Sequence, residues 1–176
     1  ASQTPYSALA LGVLAKEAGF PDGVMNIITG AASAIGKELT ENPLVRKISF
    51  TGSTEVGKVL LQQSATTVKK VSMELGGHAP FVVFDDADLD EAVTGAMQSK
   101  FRNSGQTCIC ANRIFVHEKV YDEFLNKFIN EVNKIKVGNG LEEGIVSGPL
   151  IDQPSLMKVH DQVKDAVNQG AKIAVG

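Results

Sequence analysis

"VRKISFTGSTEVGKVLLQQSATTVKKVSMELGG", residues 45–77, is the stretch that decides the fold. Strand-forming apolar residues recur at both of its ends, 45–50 and 68–75, and a helical pattern fills residues 53–65 between them. Two strands that are joined by a crossover helix of this length pair in parallel, because antiparallel neighbours need only a short turn. The stretch therefore predicts an α/β fold in which parallel sheets are covered by helices.

The rest of the chain continues the same alternation. Helices are predicted at 6–18, 31–41, 88–101, 120–135 and 155–169, and strands at 24–29, 79–84, 113–117 and 171–175. Asp85 or Asp86 is expected to cap the helix that follows them. Two adjacent glycines at 76–77 allow a sharp change of direction. We therefore expect one domain at residues 1–75 and a second at residues 76–176.

Composition argues against several classes of protein. The 176 residues carry 17 Lys+Arg and 20 Asp+Glu, a net charge of −3, so the basic excess of nucleic-acid binders is missing. No apolar run approaches the roughly 18 residues that a membrane span needs, and no signal peptide is recognisable. Two cysteines do not make a disulfide scaffold. We expect a reducing compartment, no nucleic-acid partner and no membrane, and neither terminus resembles a natural domain boundary.

The run "FTGSTEVGKV", residues 50–59, has the features of a phosphate-binding turn. Gly52 and a helix capped by Ser53 follow a strand directly, so that backbone N–H groups and the positive end of the helix dipole are available to an anion. A nucleoside-triphosphate loop would need Ser or Thr where Val59 stands. The Gly-x-Gly-x-x-Gly dinucleotide fingerprint is absent. A phosphate site and a plain capped helix both remain open at this point.

No metal site is predicted. Asp86, Asp88 and Asp90 have the spacing of a calcium loop, but Glu91 stands where glycine is required and Met97 where glutamate is required. The acids instead favour the first turn of a helix. The three histidines are scattered, and we expect a surface or structural role for each.

Glu74 ends an apolar strand in "SMELGG". A carboxylate at the carboxyl end of a parallel strand lies at the edge where α/β active sites form. Partial burial would raise the pKa of such a carboxyl and fit it for general-base chemistry. An exposed strand-end glutamate without a function is the alternative.

Both cysteines, Cys108 and Cys110, lie in "RNSGQTCICANR", residues 102–113. Zinc would need further ligands nearby, and a disulfide between residues i and i+2 would need a turn. Packing is the usual role of a buried cysteine. The small polar residues before Cys108 also allow backbone N–H groups to cradle an oxyanion, which fits a nucleophile activated in a loop.

Three motifs together resemble the aldehyde dehydrogenase superfamily, and within it the succinate-semialdehyde branch. They are "KISFTGSTEVG" at 47–57, "MELGG" at 73–77 and "FRNSGQTCICANR" at 101–113. The resemblance implies that Cys108 attacks an aldehyde to form a thiohemiacetal, whose carbon then passes a hydride to NAD or NADP and becomes a thioester. It implies that Glu74 activates the water that hydrolyses this thioester. It implies a cofactor-binding run made of Gly52, Ser53, Thr54, Glu55, Val56 and Gly57.

The same resemblance implies roles for two further residues. Arg102 would pair with the far carboxylate of the substrate, with a structural salt bridge as the alternative reading. Cys110 would bond Cys108 reversibly as a redox switch. Succinate semialdehyde is the expected substrate, and glutarate semialdehyde or another carboxylated aldehyde is the alternative.

The resemblance also implies a setting. The chain would hold the last part of a cofactor domain, up to Leu75, and the first part of a catalytic domain. The complete enzyme would be a homo-oligomer, a dimer or a tetramer, of the cytoplasm or mitochondrial matrix. An upstream asparagine and a downstream glutamate of the family site are expected outside residues 1–176, so the isolated segment is expected to be inactive. A non-catalytic redox-responsive fragment and a phosphate-loop nucleotidase are the rival classes, and Val59 disfavours the latter.

Overall fold

A computed structural model describes residues 3–176 of the chain, which contain both helices and strands. The helices are α1 (Tyr6–Glu17), α2 (Ala32–Glu41), α3 (Thr54–Ala65), α4 (Leu89–Phe101), α5 (Tyr121–Val132) and α6 (Gln153–Asn168). The strands are β1 (Lys47–Thr51), β2 (Lys70–Glu74), β3 (Ala79–Val83) and β4 (Ala111–Val116). The structure confirms the α/β class and the parallel pairing that the sequence predicts.

The chain separates into two compact units, one ending at Leu75 and the other beginning at Gly76. In the first unit, β1 and β2 pair in parallel, in a register that places Lys47 opposite Lys70 and Thr51 opposite Glu74. Helix α3 is the crossover between them. Ser53 caps it as predicted, because its side chain accepts a hydrogen bond from the backbone N–H of Val56 at 3.3 Å.

The turn that follows helix α3 contains a left-handed residue that is not glycine. Val68 has φ 52°, a conformation that a β-branched side chain rarely adopts. The next residue holds it there: the Lys69 N–H donates to the Ser64 carbonyl at 3.3 Å, and the Lys69 ammonium donates to the carbonyls of Asn42 and Val45 at 2.5 and 2.7 Å. Lys69 thus ties the helix end to the segment that leads into β1.

In the second unit, β3 and β4 pair in parallel with α4 as the crossover. A small core forms where α4 and α5 cover these strands. It contains Val83, Val93, Ala96 and Phe124, with Phe128 stacked on Phe124 at 5.7 Å between ring centroids. This burial of large apolar side chains is the main stabilising contribution in the unit.

The cap of α4 differs from the prediction. Asp88, and neither Asp85 nor Asp86, is the N-cap, since its carboxylate accepts from the N–H groups of Asp90 and Glu91 at 3.0 and 3.1 Å. Asp88 has the extended backbone that an N-cap requires. The three candidates lie within four residues, and the sequence alone does not show which one leaves the helix.

The strands predicted at 24–29 and 171–175 are wrong, since both segments are irregular. A strand needs a hydrogen-bonding partner, and over residues 3–176 the pairings β1–β2 and β3–β4 are the two sheets present. In the first segment, the side chain of Ile27 instead packs on α1 beside Gly12. The other large apolar side chains of this segment are exposed, so its apolar pattern marks neither a strand nor a buried segment. No helix in the described part of the chain has the length and apolar character to cross a bilayer.

We predict that Val68→Gly raises the unfolding midpoint of the protein. Val68 is 89% exposed, so its side chain contributes little packing, whereas its left-handed backbone costs about 1 kcal/mol relative to glycine. Thermal unfolding followed by circular dichroism measures the change. Val68→Thr keeps the β-branch and should leave the midpoint unchanged. A lower midpoint for the glycine variant would contradict the prediction.

Candidate functional site

The six residues predicted to bind a cofactor lie together where α3 begins, at the carboxyl end of β1. The Gly52 N–H donates to the Glu74 carbonyl at 3.0 Å, directly after the Thr51–Glu74 pair of the parallel register. The strand pairing therefore brings the turn and Glu74 side by side within the first unit. Ser53, Thr54 and Val56 are exposed at this turn, as an anion site would require.

Two glycines of the run are required for close packing. A Cβ at Gly52 would lie 2.3 Å from the Phe50 ring, and one at Gly57 would lie 2.6 Å from a methyl group of Leu75. Gly57 is buried, so α3 approaches the end of β2 closely at this point. The spacing Gly52-x-x-x-x-Gly57 thus has a structural cause that does not involve a triphosphate.

Glu74 is exposed in this unit, and the partial burial considered from the sequence is not observed. Its backbone is fixed by pairing with β1, which places the carboxylate at the carboxyl edge of the strand pair. The strand end can therefore present a carboxylate to a water molecule or a substrate. Within this unit, Glu74 is therefore distinguished by its position at the edge of the strand pair and not by desolvation of its carboxylate.

The two cysteines of the second unit lie in opposite environments. Both thiols are free; Cys108 is exposed and Cys110 is fully buried. A turn joins them, in which the Cys110 N–H donates to the Thr107 carbonyl at 3.2 Å. The Cys110 thiol donates to the Lys100 carbonyl at 3.2 Å. The sequence does not distinguish the two cysteines by environment, and the structure assigns the accessible one to the position after Gly-Gln-Thr.

The loop before Cys108 has an unusual backbone. Asn103, Ser104 and Gly105 are all left-handed, with φ of 51°, 56° and 75°. Ser104 costs about 1–2 kcal/mol in this conformation, whereas Asn103 costs less, because its short polar side chain can hydrogen-bond locally. A reciprocal pair of bonds between Asn103 and Gln106, both at 3.1 Å, and a bond from the Ser147 hydroxyl to the Ser104 hydroxyl at 2.9 Å offset this cost. Strain of this kind is concentrated at functional sites.

Arg102 is exposed and opens this loop directly after α4. Over residues 3–176, none of the ion pairs involves its guanidinium, so the structural salt bridge considered from the sequence is not present there. The guanidinium is six residues before Cys108 and belongs to the same loop. It is therefore accessible to an anion in solution.

Residues that the sequence analysis did not single out also contact this loop. The Lys100 ammonium donates to the Asn112 side-chain carbonyl at 2.7 Å, and the Asn112 amide nitrogen lies 3.0 Å from Nδ1 of His78. His78 thus has the structural role expected for the histidines. No sequence signal marks the other two residues, because their contacts join the two ends of a loop whose path the sequence does not reveal.

Two ion pairs account for the resolved pKa shifts, and both connect elements around the core of the second unit. The Lys119 ammonium, 2.8 Å from the Asp85 carboxylate, lowers the pKa of that carboxyl below its ordinary value. Asp90, 2.6 Å from Lys127, raises the pKa of that ammonium. These groups largely face solvent, so each pair contributes little to stability. Across residues 3–176, no cluster of three or more His, Cys, Asp or Glu is arranged to hold a metal ion.

The chain is similar over its whole length to proteins of one family. Residues 1–176 match the model of the "Aldehyde dehydrogenase family". The chain is 58% identical to a succinate-semialdehyde dehydrogenase [NADP(+)] of Escherichia coli (strain K12) and 60% identical to a glutarate-semialdehyde dehydrogenase of Pseudomonas putida; each alignment covers 100% of the chain. It spans only 36% and 37% of the lengths of these relatives.

A solved structure shows the same similarity in three dimensions. It is described as an NADP-dependent enzyme of E. coli, with a TM-score of 0.98 and 58% sequence identity. The match covers 100% of the present chain and 37% of the other. The fold of the chain therefore matches that of the corresponding segment in this structure.

We predict that iodoacetamide labels Cys108 at least about tenfold faster than Cys110 in the folded protein, because alkylation of a buried thiol must wait for local opening. Mass spectrometry of the labelled peptides gives both rates. In denaturant the two rates should converge, which serves as the internal control. Equal labelling in the folded state would show that the two environments do not differ.

Proposed function

The chain belongs to the aldehyde dehydrogenase family, and we propose that the protein containing it oxidises a carboxylated aldehyde, with succinate semialdehyde as the first substrate to test. The exposed Cys108 thiol, at the end of a left-handed loop and in the family motif, is the observation that carries this proposal. The chain spans little more than a third of its relatives' length, so the activity is assigned to the complete protein.

In the proposed reaction, Cys108 is the nucleophile. Its thiolate attacks the aldehyde carbon, and the carbonyl oxygen takes the negative charge of the tetrahedral thiohemiacetal. Backbone N–H groups of the loop are available to stabilise that charge, because the preceding residues are small and polar. NAD or NADP, when bound, supplies the acceptor for the hydride that leaves the thiohemiacetal carbon. The carbon then remains bonded to Cys108 as a thioester.

Glu74 is the proposed general base for the second half of the reaction. Its carboxylate takes a proton from a water molecule, and the resulting hydroxide adds to the thioester carbonyl. Collapse of that adduct breaks the carbon–sulfur bond, releases the carboxylic acid and returns Cys108 as thiolate. The position of Glu74 at a strand end supports this role, since the backbone of a paired strand holds the carboxylate in place.

The run Gly52–Gly57 fits a dinucleotide. Gly52 allows the chain to turn tightly against the Phe50 ring, and the exposed turn ends in the amino terminus of α3. Thr54 and the capping Ser53 would hold the pyrophosphate there, through backbone N–H groups and hydroxyls. Nothing in this turn distinguishes NAD from NADP.

Arg102 is the proposed substrate anchor. Succinate semialdehyde and glutarate semialdehyde, the substrates named for two relatives, both carry a carboxylate away from the aldehyde. A guanidinium pairs with a carboxylate through two parallel hydrogen bonds, which supplies both affinity and orientation. The exposed guanidinium, which takes part in none of the ion pairs of residues 3–176, supports a carboxylated substrate over a plain aliphatic aldehyde.

Cys110 is proposed as a redox partner of Cys108. A peroxide would oxidise the Cys108 thiolate to a sulfenic acid, and attack by the Cys110 thiol would form the disulfide and release water. A thiol reductant would restore the nucleophile. Because Cys110 is buried and bonded to the Lys100 carbonyl, this step requires the turn at Thr107 to open first.

The wider setting is part of the same proposal. We place the first unit in a cofactor domain and the second in a catalytic domain of a homo-oligomer, in the cytoplasm or the mitochondrial matrix. The isolated 176 residues should not turn over, because the relatives that do so are almost three times as long. Steady oxidation of succinate semialdehyde by this segment alone would refute that expectation.

The roles of Cys108 and Glu74 predict different kinetic defects in the complete protein. Glu74→Gln should give one rapid burst of reduced cofactor per active site, followed by turnover at least about 100-fold slower, because hydride transfer precedes hydrolysis. Cys108→Ser should give no burst. Stopped-flow absorbance at 340 nm separates the two. Glu41→Gln, an exposed carboxylate of α2, is the matched control; a Glu74 variant with normal turnover would exclude the base role.

The anchor role of Arg102 predicts a selective loss. Arg102→Ala should lower kcat/KM for succinate semialdehyde by about 10- to 100-fold, the loss expected when one partner of a charge-assisted pair is removed. Butanal has the same carbon number without the carboxylate, and its kcat/KM should change by less than about threefold. For succinate semialdehyde, the kcat/KM of Arg102→Lys should lie between the values of the wild type and Arg102→Ala. Equal losses for both aldehydes would show that Arg102 shapes the loop and does not read the substrate.

A further inference from the structure

We propose that Lys100 is a positioning residue for the nucleophile loop, defined as residues 102–109. Its ammonium and its carbonyl together join the two ends of this loop and hold Cys108 in its reactive placement. The inference rests on the proposed function, in which Cys108 is the nucleophile. It adds a residue to which neither the motifs nor the comparisons give a role.

Lys100 contacts Cys110 and Asn112, two residues that follow the loop. It lies in the last turn of α4, and its Nζ donates to Oδ1 of Asn112 at 2.7 Å and to Sγ of Cys110 at 3.7 Å. The Cys110 thiol donates back to the Lys100 carbonyl at 3.2 Å. Lys100, which precedes the loop, is thus hydrogen-bonded through its side chain and its backbone to two residues that follow the loop.

Gly105, in the middle of the loop, also lies close to Lys100. A Cβ at Gly105 would lie 3.1 Å from the Lys100 carbonyl oxygen and 3.6 Å from its Nζ. Gly105 has φ 75°, so the position requires glycine for its backbone as well as for this close approach. The loop therefore folds back over Lys100 just before it reaches Cys108.

The side-chain amide of Asn112 connects Lys100 to residues 77–78, which directly precede β3. An ammonium can only donate, so the oxygen of the Asn112 amide faces Lys100 and its nitrogen faces Nδ1 of His78 at 3.0 Å and the Gly77 carbonyl at 3.4 Å. A Cβ at Gly77 would lie 3.2 Å from the Cys108 carbonyl oxygen. The same amide thus holds the segment that lies against the Cys108 backbone.

The loop needs an external constraint of this kind. Asn103 and Ser104 adopt left-handed backbones that persist only where the surroundings over-determine them. Both hydrogen-bond acceptors of the Lys100 ammonium are neutral groups on the far side of the loop. Charge-assisted bonds to such acceptors are stronger than neutral ones, so the charge of Lys100 contributes to closing the loop.

The test compares substitutions of Lys100 in the complete protein. Lys100→Met keeps a similar length and removes the ammonium, and it should lower kcat for succinate semialdehyde by about 10- to 100-fold while KM changes by less than about threefold, since misplacement of a reacting group by about 1 Å costs up to about 100-fold. Iodoacetamide labelling of Cys108 should slow in parallel. Lys100→Arg should restore most of both rates. Lys119→Met removes an exposed ammonium of the same unit and should change neither rate.

Substitutions of Asn112 test the same connection from its other end. Asn112→Asp keeps the acceptor for Lys100, whereas Asn112→Leu removes it, so the leucine variant should show the larger loss of kcat. The double variant Asn112→Leu/Lys100→Met should lose little more kcat than either single variant, because both substitutions break the same connection. If Lys100→Met does not fold, as judged by circular dichroism, the Asn112 pair decides the question.

The experiments distinguish a failure of the inference about Lys100 from a failure of the proposed function. Wild-type kcat and labelling in Lys100→Met and Asn112→Leu, alongside an inactive Cys108→Ser, would overturn the role of Lys100 and leave the proposed function standing. Turnover by Cys108→Ser would overturn the proposed function itself. A loss in Lys100→Met that arginine does not restore, with KM raised as much as kcat is lowered, would indicate a general structural role and would also overturn the inference.

Discussion

Parallel pairing of strands across a helical crossover is the constraint on which both units depend. It aligns the ends of the paired strands, so residues far apart in sequence meet at a shared edge. In the first unit the residues of the proposed function lie at the carboxyl edge, where the pairing places Gly52 beside Glu74. In the second unit they lie at the amino edge, because Ala79 pairs with Ala111 and the residues that precede each strand lie together.

This difference of position explains why the sequence identifies Glu74 more readily than the surroundings of Cys108. Glu74 follows its strand, and the rule that α/β sites form at carboxyl ends identifies it. Cys108 precedes its strand, where that rule gives no guidance. The contacts of this amino edge, between Gly77 and Cys108 and between His78 and Asn112, follow from the register of β3 and β4, which the sequence does not disclose.

Local signals were sufficient for much of the fold. Helical periodicity and the Ser53 cap located α3, and the apolar runs beside it located β1 and β2. The same apolar pattern is misleading at 24–29, where most of the apolar side chains are exposed, because an apolar run by itself does not supply a neighbouring strand. Lys100 could not be found at all, since a lysine near a helix end is common and its partners lie beyond a loop of irregular backbone.

The two cysteines show how one turn can separate chemical roles. They are two residues apart, yet the turn closed by the Thr107 carbonyl directs one thiol to solvent and the other into the protein. The buried thiol is held by a hydrogen bond to the carbonyl of the same lysine whose ammonium closes the loop. A disulfide would have to break that bond and uncover Cys110, so oxidation and the reactive arrangement of the loop exclude one another. The position of Cys110 therefore links any redox control directly to the placement of Cys108, the proposed nucleophile.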